Sequence, residues 1–351
     1  MTTAAQPPAH AAAPDLNRVW HGFRLDGKFL DGAPYGNGHI HETFAARSRQ
    51  PDGSVRRHIL QRLNTMVFPD VPRLMANILR ITEHIRSQQP LFPGRNPALE
   101  TLTVVPARDG APFLTDAAGR AWRSYEFIEK TVTRLAVATP AQAREAAHAY
   151  GRFLRYLETL PAPLPQVLLP GFHHTPGRFA ELDRALTLDP CNRAVTVKPE
   201  TKLALAHANL AEILPRLQAA GALPERIVHN DTKPDNILFA AGGNRATAVI
   251  DLDTVMPGLS LHDFGDMVRT MACADTSAGM GFLPDFFAAL TEGWLGAAAG
   301  RFTAAEVEHL PVAGQIITCE LGVRFLTDYL LGDVYFRTQR PGHNLDLNYP
   351  Q

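Results

Sequence analysis

Apolar and polar residues alternate through the first third of the chain in the pattern of short β-strands joined by turns. The apolar stretches fall at residues 29–35, 40–45, 57–63, 101–106 and 121–128. A period of two, broken by Gly-containing turns, is typical of strands in hairpins. The pattern therefore predicts an antiparallel sheet, with a Gly-rich turn at 36–38 between its first two strands.

Helical periodicity replaces this alternation twice. Between the third and fourth strands, Leu74, Ile78, Ile81 and Ile85 recur at spacings of three and four, which predicts a helix over 72–88. From about Thr139 onward the Ala-rich helical pattern dominates. The expected helices cover residues 140–160, 178–187, 200–221, 281–298 and 303–332.

One β-hairpin is predicted inside this helical part. Two apolar stretches, 237–239 and 246–250, flank Gly-Gly-Asn at 242–244. Asn236 stands at the start of the hairpin and Asp251 at its end. Because the two strands of a hairpin run side by side, we expect these two polar residues to lie close in space.

The length and the change of pattern predict two lobes. A chain of 351 residues is longer than one ordinary domain. The smaller lobe is expected at 16–130 and the larger at 131–351. Residues 1–15 are rich in Ala and Pro and lack a basic residue before an apolar run, so they predict a disordered leader and no secretory signal.

Charge and composition exclude several functional classes. The formal net charge is −1 and basic residues form no run, which disfavours nucleic acid and anionic membranes as partners. No stretch has the roughly 18 apolar residues of a membrane span. The three cysteines, Cys191, Cys273 and Cys319, form no Cys-x-x-Cys pair and suit a reducing compartment. We therefore expect a cytoplasmic protein.

Residues 229–236 carry the strongest chemical signal, with the pattern His-x-Asp-x-Lys-x-x-Asn between two apolar stretches. This pattern is typical of kinase catalytic loops. Asp231 is then the acceptor of the substrate hydroxyl's proton, and Lys233 reaches the γ-phosphate. His229 is expected to brace the loop. An ordinary surface turn is the alternative, but the whole string and its flanking strands favour ATP-dependent phosphoryl transfer.

Two oxygen ligands for Mg²⁺ are predicted, the amide of Asn236 and the carboxylate of Asp251. Asp253 follows two residues later and, on an extended chain, points to the same side, where it could reach a second metal. The alternative is a carboxylate that is solvated or braces the loop. Residues 263–265 spell Asp-Phe-Gly, the metal-binding tripeptide of protein kinases. They lie too far along the chain for a direct hairpin return. Asp263 or Asp266 is therefore expected to be a structural carboxylate, capping a helix that begins near Phe264.

Candidates for phosphate binding lie in the predicted sheet. Backbone N–H groups of the turn formed by Gly36, Asn37 and Gly38 can approach phosphates, although a plain hairpin turn fits the same pattern. Arg62 is the only basic residue in the core of the third strand, and we expect it at the α- and β-phosphates. Whether Arg62 or Gln61 faces the phosphates stays open.

The end of the last predicted strand is the candidate adenine site. Glu126, Phe127 and Ile128 lie at the boundary between the lobes. Backbone groups here would pair with adenine while apolar side chains enclose the ring. A buried edge strand is the alternative interpretation.

Two pairs of histidines, at 39 and 41 and at 173 and 174, have no Cys or carboxylate at metal-ligand spacing. A transition-metal site is therefore not expected. His173 remains a candidate hydrogen-bonding partner of the substrate.

With these residues in view, the chain resembles the aminoglycoside phosphotransferase and choline kinase superfamily, and within it the N-acetylhexosamine 1-kinases. The similar stretches are residues 36–40, 59–65, 67–68, 125–129, 229–233, 249–258, 324–330 and 332–336. The resemblance implies an α+β, protein-kinase-like bilobal fold. A small N-terminal lobe would contain an antiparallel sheet, and a larger C-terminal lobe would be mainly helical.

The same resemblance implies phosphorylation of the anomeric hydroxyl of N-acetylglucosamine or N-acetylgalactosamine, with ATP and Mg²⁺, to a sugar 1-phosphate for amino-sugar salvage. It implies Asp231 as the base, and Asn236 and Asp251 as metal ligands. Arg324 would contact the sugar, or instead form an ion pair that braces its helix. The sequence does not rank the two sugar epimers.

Competing functions are defined by other acceptors. A kinase of another sugar, an amino alcohol or an aminoglycoside stays open, because Glu320, Asp328 and Asp333 offer carboxylates for a cationic acceptor. A protein kinase is disfavoured because no Ala-Pro-Glu segment follows Asp251. A nucleotide-binding pseudokinase is disfavoured by the intact catalytic string.

Overall fold

The computed structural model describes residues 14–36, 38, 40–276, 279–336, 338, 340 and 342–348. The described chain forms two compact units. The first ends at Met75 and resumes over Thr103–Phe127, and the second comprises Ala76–Leu102 and the chain from Ile128 onward. Most of the predicted leader, residues 1–13, lies outside the described residues.

The first unit is built on an antiparallel sheet. Its strands are β1 Lys28–Pro34, β2 Glu42–Arg49, β3 Val55–Arg62, β4 Val104–Val105, β5 Leu114–Thr115 and β6 Ala121–Glu126. The strand order is β1-β2-β3-β6-β4, and β5 also pairs with β6. All of these pairs are antiparallel, as the alternating pattern predicts.

The core of this unit lies on one face of the sheet. Leu60 of β3 and Trp122 of β6 pack there with Trp20 and Phe23, which lie in and just after helix α1 (Leu16–His21). These four side chains are almost completely buried. Side chains alternate between the two faces of a strand, so the neighbours of Leu60 and Trp122 point to the opposite face.

Helices make up most of the second unit. Helix α2, Val71–Ser87, passes from the first unit into the second. The other helices are α3 Pro140–Leu157, α4 Thr175–Leu188, α5 Lys198–Ala206, α6 Ile213–Ala219, α7 Ser260–Met271, α8 Pro284–Ala298, α9 Ala304–Glu308, α10 Leu310–Leu331 and α11 His343–Asn348. Within the described part of the chain, no helix has the length and apolar character that crossing a membrane requires.

Two long predicted helices are each divided in the structure. The helix expected over 200–221 is split into α5 and α6, and the one over 303–332 into α9 and α10. Pro215 and Pro311 lie in the first turns of α6 and α10. Proline lacks the N–H that an uninterrupted helix needs and is tolerated in a first turn, which explains the new starts.

The second unit also contains short strands. They are β7 Thr131–Val132, β8 Arg226–Val228, β9 Ile237–Ala240, β10 Ala246–Val249, β11 Met256–Gly258, β12 Cys273–Thr276 and β13 Gly279–Phe282. The predicted hairpin of β9 and β10 is confirmed. The pairs of β8 with β11 and of β12 with β13 were not predicted. In the sequence, the candidate catalytic residues lie between β8 and β11.

Buried charges and backbone hydrogen bonds hold β10 in place. Arg152 of α3 donates to Glu100 at 2.9 Å, and both side chains are buried. The backbone N–H of Val249 donates to the Glu100 oxygen at 3.1 Å. Arg95 donates to the backbone oxygen of Ala246 at 2.6 Å. Residues 95–100 therefore form hydrogen bonds with both ends of β10. These bonds fix the point where the strand ends.

Gly265 allows α7 and α10 to approach closely. A Cβ atom at this position would lie 2.4 Å from the backbone oxygen of Ala313 in α10. Phe264, the preceding residue, is fully buried and its ring centroid lies 6.3 Å from that of Trp294. Helix packing thus accounts for the last two residues of the Asp-Phe-Gly tripeptide.

Candidate active site

Three predicted residues meet at one carboxylate in the loop between β8 and β9. The ammonium of Lys233 lies 3.0 Å from Oδ2 of Asp231. Nδ2 of Asn236 donates to the same Oδ2 at 2.9 Å and to the backbone oxygen of Asp231 at 2.8 Å. The Asp231 side chain is about a quarter exposed, at 27%. An incoming hydroxyl can therefore reach it.

The carboxylate of Asp231 is held in its ionised form. Burial alone would raise the pKa of Asp231, but the ammonium of Lys233 and the neighbouring His229 and Asn236 lower it on balance. Burial alone would lower the pKa of Lys233, but nearby carboxylates, Asp231 foremost, raise it. Both groups are thus charged at neutral pH, the state in which Asp231 can accept a proton.

His229 and Tyr150 brace this loop from beneath. His229 is fully buried, and its Nε2 donates to the Ile250 oxygen at 3.0 Å. Its Nδ1 accepts from the N–H of Asp231 at 3.3 Å. Burial lowers the pKa of His229, which suits a neutral ring with one donor and one acceptor. The Tyr150 hydroxyl donates to the Lys233 oxygen at 2.8 Å. Bracing is the role that the sequence predicts for His229.

Asp263 clamps the same loop from α7. Its two carboxylate oxygens accept from the N–H groups of His229 and Asn230, at 2.9 and 2.7 Å. Its backbone oxygen accepts from the Thr232 hydroxyl at 2.6 Å. A carboxylate that receives two loop amides in this way orients the loop and is structural.

The expected helix start near Phe264 is wrong. Helix α7 already begins at Ser260, and Asp263 lies inside its first turn. Its side chain satisfies amides of a distant loop and not those of its own helix. Burial raises the pKa of Asp263 to about 7, while the two amide donors lower it. The sequence separation between residues 229 and 263 hid this contact from local capping rules.

The hairpin brings the two predicted metal ligands together. The N–H of Ile250 donates to the oxygen of Asn236 at 2.9 Å, which extends the pairing of β9 and β10. Asp251 follows directly, in a left-handed conformation with φ 59° and ψ 62°. Because Nδ2 of Asn236 is engaged by Asp231, its Oδ1 is directed away from that carboxylate.

These two oxygen donors fit Mg²⁺. In the described residues, no group of three or more His, Cys, Asp or Glu side chains could hold a metal ion. Mg²⁺ commonly binds one or two protein oxygens and completes its octahedron with phosphate oxygens and water. A site made by Asn236 and Asp251 is of this kind.

The extended chain that was expected between Asp251 and Asp253 is wrong. The chain after Asp251 does not stay extended but forms a 3₁₀ turn over Leu252–Thr254. Asp253 is almost fully buried there. The backbone oxygen of Thr254 accepts from Nδ2 of Asn230 at 2.9 Å. The turn therefore supports the loop between β8 and β9.

In the first unit, the Gly-rich turn connects β1 and β2 as predicted. Gly36 has φ +76°, a conformation that side chains rarely adopt. A Cβ at Gly36 or Gly38 would meet no atom within 4 Å, so the space beside the turn is open. Asn37, the third predicted residue, lies outside the described residues.

Arg62 lies on the core face of the sheet. It shares that face with Leu60, as alternation predicts, and forms an ion pair with Glu42 directly opposite on β2. Its side chain is 17% exposed. The predicted phosphate contact of Arg62 stays a prediction, and it would compete with this ion pair.

A polar row crosses the other face, and one of its residues was missed. Nε2 of Gln61 donates to the Thr43 hydroxyl at 2.9 Å, and Oε1 of Gln61 accepts from Nε of Arg123 at 2.8 Å. Arg123 is almost completely buried, with its guanidinium 5.3 Å from the ring centre of Tyr125. A basic residue inside a buried strand was the available sequence signal.

The predicted adenine-binding residues span the passage from the first unit to the second. Glu126 ends β6 and is exposed. The guanidinium of Arg57 lies 3.7 Å from the centre of the Phe127 ring, and the Tyr35 ring lies 5.4 Å from it. Ile128 is half-buried, and its backbone oxygen accepts a hydroxyl hydrogen bond from the start of β7.

His173 lies next to the catalytic loop with both ring nitrogens engaged. Nδ1 bonds to the Glu320 carboxylate at 2.9 Å, and Nε2 bonds to the backbone oxygen of Asn230 at 3.0 Å. The structure therefore connects His173 to Asp231 through Asn230, the residue that precedes Asp231. The predicted substrate contact of His173 would have to break one of these bonds.

Arg324 of α10 is surrounded by aromatic rings. Its guanidinium lies 5.8 Å from the ring centre of Phe172, 5.6 Å from that of Tyr335 and 5.5 Å from that of Phe336. It also donates to the Tyr335 hydroxyl at 3.4 Å. Among the described residues its neighbours are thus aromatic rings, and no carboxylate there forms the ion pair that was the alternative for Arg324.

An ionised aspartate beside a lysine, with two oxygen donors at the start and end of a hairpin, is the arrangement expected of a phosphotransferase that acts on hydroxyl acceptors. The chain belongs to the phosphotransferase enzyme family, which matches residues 34–302. This confirms the predicted enzyme class, and with it the superfamily that the sequence resembles.

Solved structures share the fold at low sequence identity. A microcompartment-associated aminopropanol kinase has a TM-score of 0.59 and 16% identity, covering 92% of this chain and 90% of that one. Spectinomycin phosphotransferase, in complex with ADP and spectinomycin, has a TM-score of 0.58 and 14% identity, covering 98% and 94%. Choline kinase from Cryptosporidium parvum Iowa II has a TM-score of 0.58 and 12% identity, covering 89% and 88%. The predicted kinase-like α+β fold is confirmed.

Proposed function

We propose that this phosphotransferase transfers the γ-phosphoryl group of ATP to the anomeric hydroxyl of an N-acetylhexosamine, GlcNAc or GalNAc, in the cytoplasm. The product is a sugar 1-phosphate for amino-sugar salvage. The single observation that carries the choice of acceptor is that the three carboxylates which the sequence offers to a cationic acceptor, Glu320, Asp328 and Asp333, are already bound to protein groups. A neutral sugar does not need them.

Glu320 is the first of these carboxylates. It is fully buried in α10. One oxygen bonds to His173 at 2.9 Å, and the other accepts from the Thr175 hydroxyl at 2.6 Å. An amine of an acceptor would have to displace a buried partner to reach it, at a cost that exceeds a surface ion pair.

Asp328 and Asp333 are engaged in the same way. Asp328 accepts from the backbone N–H groups of Val334, Tyr335 and Phe336, at 2.8 to 2.9 Å. Asp333 bonds to the guanidinium of Arg193 at 2.7 Å. These contacts shape the loop that follows α10.

The side chains presented near that loop are instead Arg324 and aromatic rings. Guanidinium N–H groups donate to hydroxyl and carbonyl oxygens, and aromatic faces pack against sugar rings and acetyl groups. A positive charge repels an aminoglycoside or an amino alcohol. This chemistry favours a neutral acceptor rich in hydroxyl groups, and it agrees with the resemblance of residues 324–336.

The catalytic residues then have defined roles. The acceptor oxygen attacks the γ-phosphorus, the bond to the β-phosphate oxygen breaks, and the proton passes to Asp231. Lys233 neutralises charge at the γ-phosphate. Asn236 and Asp251 would hold Mg²⁺, which supplies charge neutralisation between the phosphates.

Nucleotide binding is proposed for the Gly36 turn, for Phe127 and its neighbours, and for a basic residue of the sheet. The face that carries Gln61 also carries Arg123, whereas Arg62 lies on the core face and is paired with Glu42. We therefore propose Arg123, in preference to Arg62, as the basic residue that binds the phosphates.

We expect Arg123→Met to raise the KM for ATP by about 10- to 100-fold, the effect of losing one charged hydrogen bond. The matched variant Arg62→Met should change this KM less than threefold. Steady-state kinetics with varied ATP measures both, and circular dichroism melts exclude unfolding. A larger effect in Arg62→Met would return the phosphate contact to Arg62.

The acceptor is tested by ATP consumption with Mg²⁺ across N-acetylhexosamines, plain hexoses, choline and an aminoglycoside, with ³¹P NMR of the product. A sugar 1-phosphate formed from an N-acetylhexosamine supports the proposal. Turnover confined to choline or the aminoglycoside overturns the acceptor and keeps the kinase. Absence of turnover across the panel favours the nucleotide-binding pseudokinase.

A further inference from the structure

We infer that His173, held by Glu320, is a positioning residue that fixes the peptide plane before Asp231 and so aims the catalytic carboxylate. The inference rests on the proposed role of Asp231 as the base, but not on the identity of the acceptor. It gives His173 a role other than direct contact with the substrate.

The hydrogen bonds of His173 define its protonation. Nε2 lies 3.0 Å from the backbone oxygen of Asn230, and Nδ1 lies 2.9 Å from the carboxylate of Glu320. Both partners are acceptors when Glu320 is ionised, so both ring nitrogens must donate. A ring that donates from both nitrogens is an imidazolium cation.

The surroundings keep this pair charged. Burial alone would raise the pKa of Glu320, but His173 and the Thr175 hydroxyl lower it to about 2. Burial alone would lower the pKa of His173, but Glu320 foremost, with a contribution from Asp266, raises it on balance. The ring of His262 lies 4.8 Å from that of His173, and burial and the His173 charge lower its pKa to about 3. His262 is therefore neutral and does not compete for Glu320.

The other contacts of Asn230 hold its peptide groups in place. It has φ 65°, a left-handed conformation that Asn adopts more readily than most residues. Its N–H donates to Asp263, and its Nδ2 donates to the Thr254 oxygen. Its backbone oxygen is the group that His173 binds.

The backbone oxygen of Asn230 shares a rigid peptide plane with the N–H of Asp231. That N–H donates to Nδ1 of His229 on the other side of the plane. His173 and His229 thus hold opposite edges of one peptide. Rotation of this plane would move the Asp231 carboxylate relative to the acceptor hydroxyl.

Two substitutions separate the two bonds of His173. In His173→Gln the side-chain amide nitrogen can take the place of Nε2 and still donate to Asn230. In His173→Asn it can take the place of Nδ1, which preserves only the contact with Glu320. Both variants lose the positive charge, so they differ in the contact with the catalytic loop.

We expect kcat to fall about 100-fold in His173→Asn, the effect of a displacement of about 1 Å at the reacting groups. In His173→Gln it should fall by less than about tenfold, and the KM for ATP should stay unchanged in both. The assay uses the acceptor with the highest turnover in the panel. Equal losses, or a larger loss in His173→Gln, would overturn the inference.

A double variant tests whether His173 acts through Asp231. If it does, adding His173→Asn to Asp231→Asn lowers the residual kcat by less than about threefold, because residues acting as a unit are not additive. Losses that multiply would assign His173 an independent role, and overturn the inference.

A third measurement needs no acceptor. ¹⁵N NMR of the ring nitrogens across a pH titration should show that His173 stays an imidazolium to higher pH in the unmodified protein than in Glu320→Gln. Loss of the imidazolium at the same or a lower pH in the unmodified protein would overturn the pairing. Because this result does not depend on turnover, a failed acceptor panel and a failed positioning role give different outcomes.

Discussion

Asp231→Asn is expected to lower kcat by roughly 10²- to 10⁴-fold, the usual contribution of a general base, while ATP still binds. Asparagine keeps the size of the side chain and can still accept one hydrogen bond, but it cannot take up a proton. It also removes the charge that Lys233 faces at 3.0 Å. Steady-state kinetics gives kcat, and calorimetry with a non-hydrolysable ATP analogue gives nucleotide affinity.

Asp235→Asn is the matched control for this experiment. It removes the same charge from the same loop, four residues later, without touching the proposed base. Its kcat should stay within a few-fold of the unmodified enzyme. Near-normal turnover in Asp231→Asn, or a comparable loss in both variants, would remove Asp231 from the role of base.

Asp251→Ala is expected to impair metal-dependent nucleotide binding, and Asp263→Ala is expected to impair stability. Asp251→Ala should abolish the gain in nucleotide affinity that Mg²⁺ produces, since it removes the only carboxylate of the proposed metal site, and should lower the free energy of unfolding less than Asp263→Ala does. Asp263→Ala should reduce the free energy of unfolding by about 2–6 kcal/mol, because the N–H groups of His229 and Asn230 would be buried without acceptors at about 1–3 kcal/mol each.

Calorimetry with an ATP analogue, with Mg²⁺ and with EDTA, and chemical denaturation measure these two effects separately. Asp263→Asn is a useful intermediate, because it keeps one acceptor and should lose less stability than Asp263→Ala. The reverse pattern, with metal dependence lost at position 263 and stability lost at position 251, would make the Asp-Phe-Gly tripeptide the metal site.

Local sequence patterns predicted the fold well where the signal lies within a few residues. Alternation gave the sheet of the first unit and the placement of Arg62 beside Leu60 on one face. The hairpin between Asn236 and Asp251 followed from two apolar stretches and a Gly-rich turn. Helix breaks at Pro215 and Pro311 were missed because Ala-rich periodicity continues through them, although proline marks both new starts.

Contacts between distant parts of the chain could not be predicted in the same way. The clamp of Asp263 on His229 and Asn230, and the pair of His173 with Glu320, join residues far apart in the sequence. Nothing local distinguishes a buried carboxylate that receives amides from one that awaits a ligand. For the same reason the sequence suggested Glu320 as a carboxylate for a cationic acceptor, whereas the structure shows it bound to His173 and Thr175.

The catalytic loop and the aromatic surroundings of Arg324 are held by different contacts, which has an evolutionary consequence. In the proposed function, Arg324 and its rings contact the acceptor, so substitutions around Arg324 would alter which acceptor is bound without disturbing the hydrogen bonds of Asp231. New substrate ranges would then diverge on an unchanged phosphoryl-transfer apparatus. Phe172 lies against Arg324, whereas the next residue, His173, binds the loop that carries Asp231. We therefore expect position 172 to tolerate substitutions far better than position 173.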